Sequence, residues 1–429
     1  MAERDRSSST HVRSGPMDRP IGPFEQRRGT ASSGWRASPT RADEGATTRG
    51  VSGTHSYDPG PAATDRTTTG TVTTGSSDAA PDPTPHVLGR EPGSGGPVAR
   101  IGSFLARDGS AGVPVGIDLD GPHAGVLVGK RGTGKSYTLG VLAEEIAATA
   151  GVSPIVLDPM GVFEGIATLP GGRVLEATIH PESLPPDRWP EIARLDRDRP
   201  PGSLLWRTVE TVADGPSRTS LSAIRGALAD ADAPAATKRT VGNHLDLLAA
   251  WNVFDADAPS FGSVLGGGPT VVDCRSLPPA AMAAIGYAIA RGIYDHCLGP
   301  GSDVLPWLLV DEAHAFLEGL AADAFRTLFT RGRAPGVSVV CATQRPSALP
   351  PVAVSQSDLV IAHRLTDERD VDALRVAQPT YLADDLGRAL PAGVGRAIVV
   401  DDATEDAHTV RVRERHTEHG GASPSASDR

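Results

Sequence analysis

The chain has 429 residues, 41 basic and 52 acidic side chains, and a formal net charge of −11; at roughly 100–200 residues per domain, this length allows two or three domains. It has no unbroken apolar run long enough for a membrane span, no apolar N-terminal run typical of a secretory signal, and only three cysteines without a CxxC pair, so we expect a cytoplasmic protein without membrane spans or disulfides. The acidic balance also argues against a simple basic nucleic-acid-binding domain.

Residues 1–96 consist mainly of Ser, Thr, Gly, Pro, Ala and Arg, and runs such as TTTGTVTTGSS contain almost no periodic apolar residues. Such a composition cannot bury enough surface to offset chain entropy, so we expect a disordered N-terminal segment. It is either an inert tail, including one produced by a misplaced start codon, or a tether for interactions. The segment has 11 arginines and 11 acidic residues, so the acidic excess belongs to residues 97–429. The composition of residues 414–429 predicts a second disordered tail.

From residue 97, short β-branched or apolar runs alternate with helical patterns, which is typical of βαβ units with a parallel sheet. The predicted strands lie at 125–128, 154–157, 270–272, 307–310, 337–342, 358–363 and 396–400, and the predicted helices at 135–149, 279–297, 318–331 and 367–377. These elements predict an α/β domain over residues 97–413, with a mainly parallel sheet and helices on both faces.

Residues 181–254 interrupt this alternation and are too long for a simple loop. Apolar residues recur there at helical spacing in three groups, namely Leu205, Val209 and Val212, then Leu221, Ile224 and Leu228, then Val241, Leu245 and Leu248. Ser217 fits the N-cap of the second helix. The segment therefore predicts a helical insertion between two strands of the sheet.

Residues 129–136, GKRGTGKS, fit the pattern GxxxxGK[ST] and lie between an apolar strand and a helix. We call them the phosphate loop. Glycines allow backbone N–H groups to close around phosphate oxygens, and the helix N-terminus adds partial positive charge. Lys135 would reach the β- and γ-phosphates, and the Ser136 hydroxyl would bind Mg²⁺. The predicted site for ATP and Mg²⁺ comprises Gly129, Lys130, Arg131, Gly132, Thr133, Gly134, Lys135, Ser136 and Tyr137.

A second hydrophobic run, at 307–310, ends in Asp311 and Glu312. Two adjacent carboxylates at a strand end suit metal-assisted phosphoryl transfer. Asp311 would hold Mg²⁺ through its water shell, and Glu312 would polarise the attacking water. The alternative, two solvated acids without a role, is weaker in a chain that also has a phosphate loop.

The run VVCATQRP places Gln344 at the end of a buried strand, where ligands of parallel sheets bind. Gln344 would sense the γ-phosphate, unless it is a polar strand end without a ligand contact. The preceding turn, TRGRAPG, carries Arg331 and Arg333. Either arginine, with Arg333 favoured, would act on the γ-phosphate bound by a neighbouring subunit or would be an ordinary surface arginine. Asp158, after the run at 154–157, would order water near the phosphates or cap a turn.

Lysine is rare, because the chain has only Lys130, Lys135 and Lys238 beside 38 arginines. An acidic, lysine-poor composition resembles that of proteins from extreme halophiles, although a GC-rich genome would also favour arginine. Lys135 occupies a position where a compact ammonium fits among phosphates and the planar guanidinium of arginine substitutes poorly. The presence of a lysine there supports the interpretation of the phosphate loop.

Four segments resemble, in their sequences and their order, the HerA/FtsK branch of the RecA-like ATPases, and specifically the HerA-type central domain. The segments are GKRGTGKSYTLGVLAEEI, IVLDPMGVF, LLVDEAHAF and RGRAPGVSVVCATQRP. The run PVGIDLDGPHAGVLVG is similar to the strands that precede the phosphate loop in this family. The resemblance covers residues 97–413 and implies a RecA-like P-loop NTPase fold. It also implies a hexameric ring with ATP sites between subunits, which moves along double-stranded DNA, in many members with a nuclease partner.

The resemblance implies phosphate and Mg²⁺ binding for Lys135 and Ser136, Mg²⁺ binding and catalysis for Asp311 and Glu312, γ-phosphate sensing for Gln344, and action in trans for Arg333. It predicts an ATP-hydrolysing motor, either a DNA translocase or a helicase. The competing hypothesis is a nucleotide-dependent switch or scaffold ATPase that recruits partners without moving DNA. Protein remodelling, as in AAA+ rings, has less support because no AAA-type lid follows the last predicted strand.

Overall fold

The structure is a computed structural model that describes residues 84–90, 93–106, 108–266, 268–300, 303–317, 319–375, 390–401 and 406–421. Within these residues, twelve strands form one sheet in the order β1-β3-β2-β12-β11-β10-β4-β9-β8-β5-β7-β6. The strands are β1 His86–Leu88, β2 Val98–Leu105, β3 Ala111–Asp118, β4 Ala124–Val128, β5 Val152–Asp158, β6 Arg173–Glu176, β7 Thr270–Asp273, β8 Leu305–Val310, β9 Ser338–Thr343, β10 Leu359–Ala362, β11 Arg396–Asp401 and β12 Asp406–Val412.

The α-helices of the same residues are α1 Lys135–Ala147, α2 Trp189–Ile192, α3 Pro200–Ala213, α4 Leu221–Asp230, α5 Ala235–Ala249, α6 Phe261–Leu265, α7 Pro279–Leu298, α8 Leu320–Arg331, α9 Pro351–Ser355 and α10 Glu368–Arg375. Within the part of the chain that the structure describes, no helix combines the length and the apolar character that crossing a bilayer requires.

The strands from β10 to β6 pair in parallel and form the centre of the sheet. β4 lies between β10 and β9, with Val128 opposite Ala362 on one side and opposite Thr343 on the other. β8 continues this register, because its Val310 lies opposite Cys341 of β9. Since parallel strands all end at one side of the sheet, the segments after β4, β8 and β9 meet there. We call this side the carboxyl edge, and the opposite side the amino edge.

Alternate residues of the central strands point into two hydrophobic cores, one on each face of the sheet. Leu127 of β4 belongs to the core that contains Leu139 and Leu142 of α1. Val126 and Val128, on either side of it, belong to the other core, together with residues of α7 and α8. The predicted α/β class, with a mainly parallel sheet and helices on both faces, is therefore confirmed.

The sheet continues beyond β10 with the antiparallel strands β11, β12, β2 and β3, and β1 pairs in parallel with β3. The apolar runs of the sequence do not predict β1, β2, β3, β6 or β12, and only the resemblance of the run PVGIDLDGPHAGVLVG indicates a strand at β3. β6 contains no fully buried residue, and Val410 is the buried side chain described in β12. Strands that bury so little lack the apolar run by which a sequence indicates a strand.

The predicted N-terminal boundary at residue 97 is wrong for residues 86–90. β1 pairs with β3, and Arg90 donates a hydrogen bond from Nε to Asp118 Oδ1 at 2.6 Å. An ion pair and backbone pairing hold this segment, and neither gives a periodic apolar pattern. The prediction for residues 1–83 lies outside the described residues.

The predicted tail from residue 414 is also wrong up to residue 421. Glu144 of α1 is 4% exposed and accepts hydrogen bonds from the backbone N–H groups of His416 at 3.0 Å and Thr417 at 2.8 Å. Arg413 adds a hydrogen bond from Nη1 to Glu144 at 2.8 Å. Hydrogen bonds to a buried carboxylate fix this segment, which therefore needs no apolar periodicity. Residues 422–429 lie outside the described residues.

Helices α2 to α6 lie between β6 and β7, where the sequence predicts a helical insertion over residues 181–254. α3, α4 and α5 bury apolar residues that the helical spacing indicates, including Val209, Ile224 and Val241. The N-cap of α4 is Ser220, whose Oγ accepts a hydrogen bond from the backbone N–H of Ala223 at 3.1 Å. The prediction of Ser217 is wrong because α4 begins only at Leu221.

Candidate active site

The phosphate loop connects the end of β4 to the start of α1 at the carboxyl edge. Gly134 precedes α1 with a φ of 116°, in a region that glycine adopts more readily than other residues. At Gly129, a Cβ atom would lie 2.6 Å from the Cβ atom of His363. Glycine at these two positions therefore allows the loop to turn sharply and to pack against the end of β10.

The N-terminus of α1 is open to an anion. No side chain of the described residues caps it, and its first turn contains no acidic residue, so the first N–H groups and the helix dipole remain available. Lys135 is 5% exposed and donates from Nζ to the carbonyl oxygen of Lys130 at 3.2 Å. Burial lowers the pKa of Lys135, whereas the charges of Glu312 and Asp311 raise it. The ammonium group therefore lies between the loop and the two carboxylates.

Asp311 follows β8 directly and is fully buried. Ser136 donates from Oγ to Asp311 Oδ2 at 2.9 Å, which joins the start of α1 to the end of β8. Among the described residues, the other oxygen, Oδ1, has no hydrogen-bond partner. Burial, together with the charge of Glu312, raises the pKa of Asp311 to about 7, against the effect of the Ser136 hydrogen bond. A buried carboxylate in this state needs a proton or a cation.

Glu312 adopts a left-handed backbone conformation with φ 44° and ψ 46°, which costs a non-glycine residue on the order of 1–3 kcal/mol. Gln344 donates from Nε2 to Glu312 Oε1 at 2.6 Å. His314 Nδ1 lies 3.4 Å from Glu312 Oε2 and 3.3 Å from Thr343 Oγ1. These contacts hold the carboxylate beside Asp311 at the carboxyl edge.

The sequence indicates Glu312 and Gln344 but neither the strained backbone nor the contact of His314. The signal that would have indicated the contact is the position of His314 two residues after Glu312.

These residues fit a magnesium–nucleotide complex. A hard cation such as Mg²⁺ takes oxygen ligands, and the unpartnered Oδ1 of Asp311 lies in the same carboxylate that accepts the Ser136 hydroxyl. Phosphates bind at helix N-termini, and α1 offers an uncapped one that begins with Lys135. The donors and charges present therefore suit both parts of such a complex.

The other predicted loop residues differ in their contacts. The side chains of Lys130 and Arg131 are exposed. Thr133 is buried and donates from Oγ1 to the carbonyl oxygen of Lys130 at 2.7 Å, which stiffens the loop. The Tyr137 hydroxyl accepts a hydrogen bond from the backbone N–H of Arg415 at 2.7 Å. Tyr137 thus contacts the C-terminal segment and does not direct its hydroxyl into the loop.

Asp158, buried at the end of β5, caps the turn that follows. Its Oδ1 accepts hydrogen bonds from the backbone N–H groups of Met160 at 3.1 Å and Gly161 at 2.7 Å. Its Oδ2 accepts one from Phe163 at 2.9 Å. Both oxygens of Asp158 therefore accept hydrogen bonds from the turn. Of the two predicted roles, ordering water near the phosphates and capping a turn, the structure supports turn capping.

His363 belongs to the site, although it is not among the residues that the sequence predicts there. It is fully buried behind the phosphate loop, with Nδ1 2.8 Å from the carbonyl oxygen of Arg396 and Nε2 2.9 Å from Thr138 Oγ1. A carbonyl only accepts, so Nδ1 donates to it and, in the neutral ring, Nε2 accepts from the hydroxyl. Burial lowers the pKa of His363 to about 4, with a further contribution from the charge of Lys135. The neutral ring therefore connects α1 to β11. The sequence feature that could have indicated His363 is a polar residue directly after an apolar strand.

Arg331 and Arg333 lie at the amino edge. They precede β9, whereas the phosphate loop follows β4, a strand long enough to separate the two edges by roughly 15 Å. Arg333 is 77% exposed and donates from Nη2 to Asp358 Oδ2 at 3.0 Å. Arg331 ends α8 and is exposed. The structure therefore brings together Lys135, Ser136, Asp311, Glu312 and Gln344, and it places both arginines away from them.

Asp358 belongs to a network of buried charges at the amino edge. Its Oδ2 lies 3.0 Å from His123 Nδ1, and His123 Nε2 lies 3.7 Å from Asp118 Oδ2. Burial lowers the pKa of His123, but the hydrogen bond to Asp358 and the charges of Asp118 and Asp358 outweigh it and raise the pKa to about 9. His123 is therefore a buried cation between two carboxylates.

We expect this histidine to make the free energy of unfolding decrease between about pH 6.5 and pH 9. The pKa of His123 in the folded chain, about 9, is above the ordinary value of 6.5. The stabilisation by protonated His123 is therefore complete below pH 6.5 and is lost as the pH rises through about 9. The contribution is about 3 kcal/mol. Denaturant unfolding of the wild type and of His123→Gln across this range should show a difference in stability that shrinks with rising pH. A difference that stays constant would contradict the expectation.

Comparisons with known families and structures found similar proteins. Residues 99–220 match the model of a family described as helicase HerA, central domain. The match includes the phosphate loop and ends before β8 and β9. A comparison with curated proteins gave no match.

Among solved structures, VirB4 of Thermoanaerobacter pseudethanolicus is similar with a TM-score of 0.55 and 15% identity, over 76% of this chain and 98% of that one. The bacterial conjugative coupling protein TrwBdeltaN70 is similar with a TM-score of 0.52 and 17% identity, over 78% of this chain and 91% of that one. The plasmid coupling protein TrwB in complex with ADP and Mg²⁺ has a TM-score of 0.50 and 18% identity, over 76% of this chain and 98% of that one. At these identities the likeness establishes the fold.

Proposed function

We propose that this chain, which has the fold of the RecA-like P-loop ATPases and a HerA-type central domain at residues 99–220, binds ATP with Mg²⁺ at the phosphate loop and hydrolyses it to ADP and phosphate. The observation that carries this proposal is the contact of 2.9 Å between Ser136 and Asp311, beside an oxygen of Asp311 that has no partner among the described residues. A structure with the same fold, TrwB, contains ADP and Mg²⁺, which supports the proposed ligands.

The residues of the site would have separate roles in binding and hydrolysis. Lys135 and the first N–H groups of α1 would hold the phosphates, and Ser136 and Asp311 would hold the cation. When bound, Mg²⁺ supplies positive charge that neutralises the phosphate oxygens. Glu312 would orient a water molecule and accept its proton while the water oxygen bonds to the γ-phosphorus and the bond from this phosphorus to the ADP oxygen breaks. Gln344 keeps Glu312 in place through their hydrogen bond of 2.6 Å.

Arg333 would complete the site of a neighbouring subunit. It lies at the amino edge and 77% of its side chain is exposed, so it is available to a second copy of the chain and remote from its own phosphate loop. A guanidinium group supplied in trans stabilises the charge that develops on the transferred phosphoryl group. We propose a homo-hexameric ring with ATP sites between subunits, which the resemblance to HerA-type ATPases supports.

We further propose that ATP hydrolysis drives movement on double-stranded DNA, as a translocase or helicase, with a nuclease as a candidate partner. The HerA match over residues 99–220 supports this proposal. The competing function is a nucleotide-dependent switch or scaffold ATPase. The acidic excess of residues 97–429 favours the competing function, because negative charge repels the DNA backbone unless basic residues line the binding surface.

The two functions differ in their response to DNA. If the chain is a DNA motor, double-stranded DNA should raise ATP turnover, and DNA binding should weaken steeply as the KCl concentration rises. Phosphate release from the purified protein, measured with no DNA, single-stranded DNA and double-stranded DNA from low to multimolar KCl, tests this expectation. ATP turnover that no form of DNA changes would favour the switch. The absence of ATP turnover in every condition would contradict the ATPase itself.

A further inference from the structure

We propose that Asp358 positions Arg333 for its action on a neighbouring subunit, from a place that His123 and the backbone of Ala124 fix. Asp358 is a positioning residue here, because it acts through Arg333 and does not touch the nucleotide. The inference rests on the proposed role of Arg333 in trans.

The side chain of Arg333 is exposed but restricted in its direction. Within the described part of the chain, its side chain makes one hydrogen bond, from Nη2 to Asp358 Oδ2 at 3.0 Å, while 77% of it is exposed. A guanidinium group has five N–H donors in a rigid plane. One hydrogen bond therefore restricts the direction of the plane and leaves other donors for a phosphate. Without this bond, an exposed arginine would populate many rotamers, and few of them would point to the neighbouring site.

Asp358 is much more buried than Arg333, with 18% of its side chain exposed. Its Oδ1 accepts a hydrogen bond from the backbone N–H of Ala124 at 3.0 Å, and its own backbone N–H donates to the carbonyl oxygen of Ala124 at 3.0 Å. His123 Nδ1 lies 3.0 Å from Oδ2, the oxygen that also binds Arg333. Two contacts with Ala124 and one with His123 thus fix Asp358 at the start of β4, so Asp358 can restrict the direction of the Arg333 side chain.

Arg333 and Asp358 border a cavity of about 400 Å³ whose lining includes Thr330, Gln356 and Ser357. These polar side chains leave the exposed face of the guanidinium group accessible to a group from another chain. Asp358 stabilises the fold through its contact with the buried His123, whereas its ion pair with the exposed Arg333 contributes little to stability. The arrangement suits a residue that presents Arg333 outward.

A double-mutant cycle tests the inference. In Asp358→Asn, the side-chain oxygen still accepts from Ala124, but the charge that holds both Arg333 and His123 is removed. We expect kcat for ATP hydrolysis to fall on the order of tenfold with KM for ATP unchanged, because the phosphate loop of the same subunit is untouched. Added to Arg333→Ala, the substitution should cause no further loss of kcat. Asp246→Asn is the matched control, since it removes the carboxylate partner of the exposed Arg225 in the insertion and should leave kcat unchanged.

Thermal unfolding of each variant shows whether the fold is intact. If Asp358→Asn unfolds below the assay temperature, Asp358→Ser serves as the second variant, because its hydroxyl retains an acceptor near Ala124 and does not reach Arg333. Three results would each overturn the inference. They are losses of kcat that add in the double variant, a changed KM for ATP, and an unchanged kcat in a folded Asp358 variant. Wild-type kcat in Arg333→Ala would instead refute the action of Arg333 in trans, and the activity of Lys135→Ala tests the ATPase separately.

Discussion

Replacing Lys135 with alanine should lower ATP turnover by about 10³-fold or more. The ammonium group of Lys135 is the cation that the chain itself places at the N-terminus of α1, and it lies close enough to Asp311 and Glu312 to interact with both carboxylates. Without it, three phosphate groups would approach the buried Asp311 and the partly buried Glu312 with less compensating charge. Both nucleotide binding and hydrolysis should fail, as measured by titration with an ATP analogue and by phosphate release.

Lys130→Ala is the matched control for this substitution. It removes a lysine of the same loop whose side chain is exposed, and it keeps the carbonyl oxygen that accepts from Thr133 and Lys135. The variant should retain turnover within about twofold of the wild type, because an exposed charge contributes little in water. If Lys135→Ala hydrolysed ATP at more than a tenth of the wild-type rate, the assignment of the phosphate loop would have to be abandoned.

Replacing Arg333 with alanine should lower ATP turnover by about 10³-fold, because an arginine supplied in trans contributes on this order to phosphoryl transfer. The affinity for ATP should remain near that of the wild type, since Arg333 lies at the amino edge and the phosphate loop at the other. The pattern to be measured is a large fall in kcat with little change in the dissociation constant of an ATP analogue. Arg331→Ala, which removes another exposed arginine near the same turn, should retain most of the turnover.

Mixing two inactive variants distinguishes action in trans from action within one subunit. An Arg333→Ala subunit keeps its phosphate loop, and a Lys135→Ala subunit keeps its arginine, so a ring that contains both has some complete sites. Turnover should therefore reappear when the two proteins are mixed, and the specific activity of the wild type should rise with protein concentration. A mixture as inactive as its components, with a ring still formed, would exclude the trans arrangement.

The residues of the candidate site could largely be predicted from the sequence. Asp311, Glu312 and Gln344 come at the ends of apolar runs, and Lys135 comes at the end of the phosphate loop that follows another such run. Such runs mark strands because buried strands of a parallel sheet need apolar residues on both faces. Parallel strands end at one edge, so their following residues meet whatever their distance along the chain. Local pattern and this one rule of sheet geometry were enough to place the four side chains together.

The positions of Arg333 and Tyr137 illustrate what local pattern leaves open. The sequence indicates that Arg333 lies on a turn before a strand, but its hydrogen bond to Asp358 depends on the pairing of β10 with β4 and of β4 with β9. Likewise, the Tyr137 hydroxyl meets the backbone of Arg415, a contact between residues far apart in the chain. Neither partner produces any periodicity that a sequence could reveal.

By itself, the sequence determined the α/β class, the phosphate loop and the acidic pair, because these depend on runs of neighbouring residues and on the chemistry of single side chains. Only the tertiary structure decided that His363 supports the loop from behind, that Glu312 has a left-handed backbone, and that residues up to 421 pack on Glu144. Each of these depends on hydrogen bonds and steric contacts between segments distant in the chain. Such contacts follow from the arrangement of the strands in the sheet, and composition and spacing do not encode them.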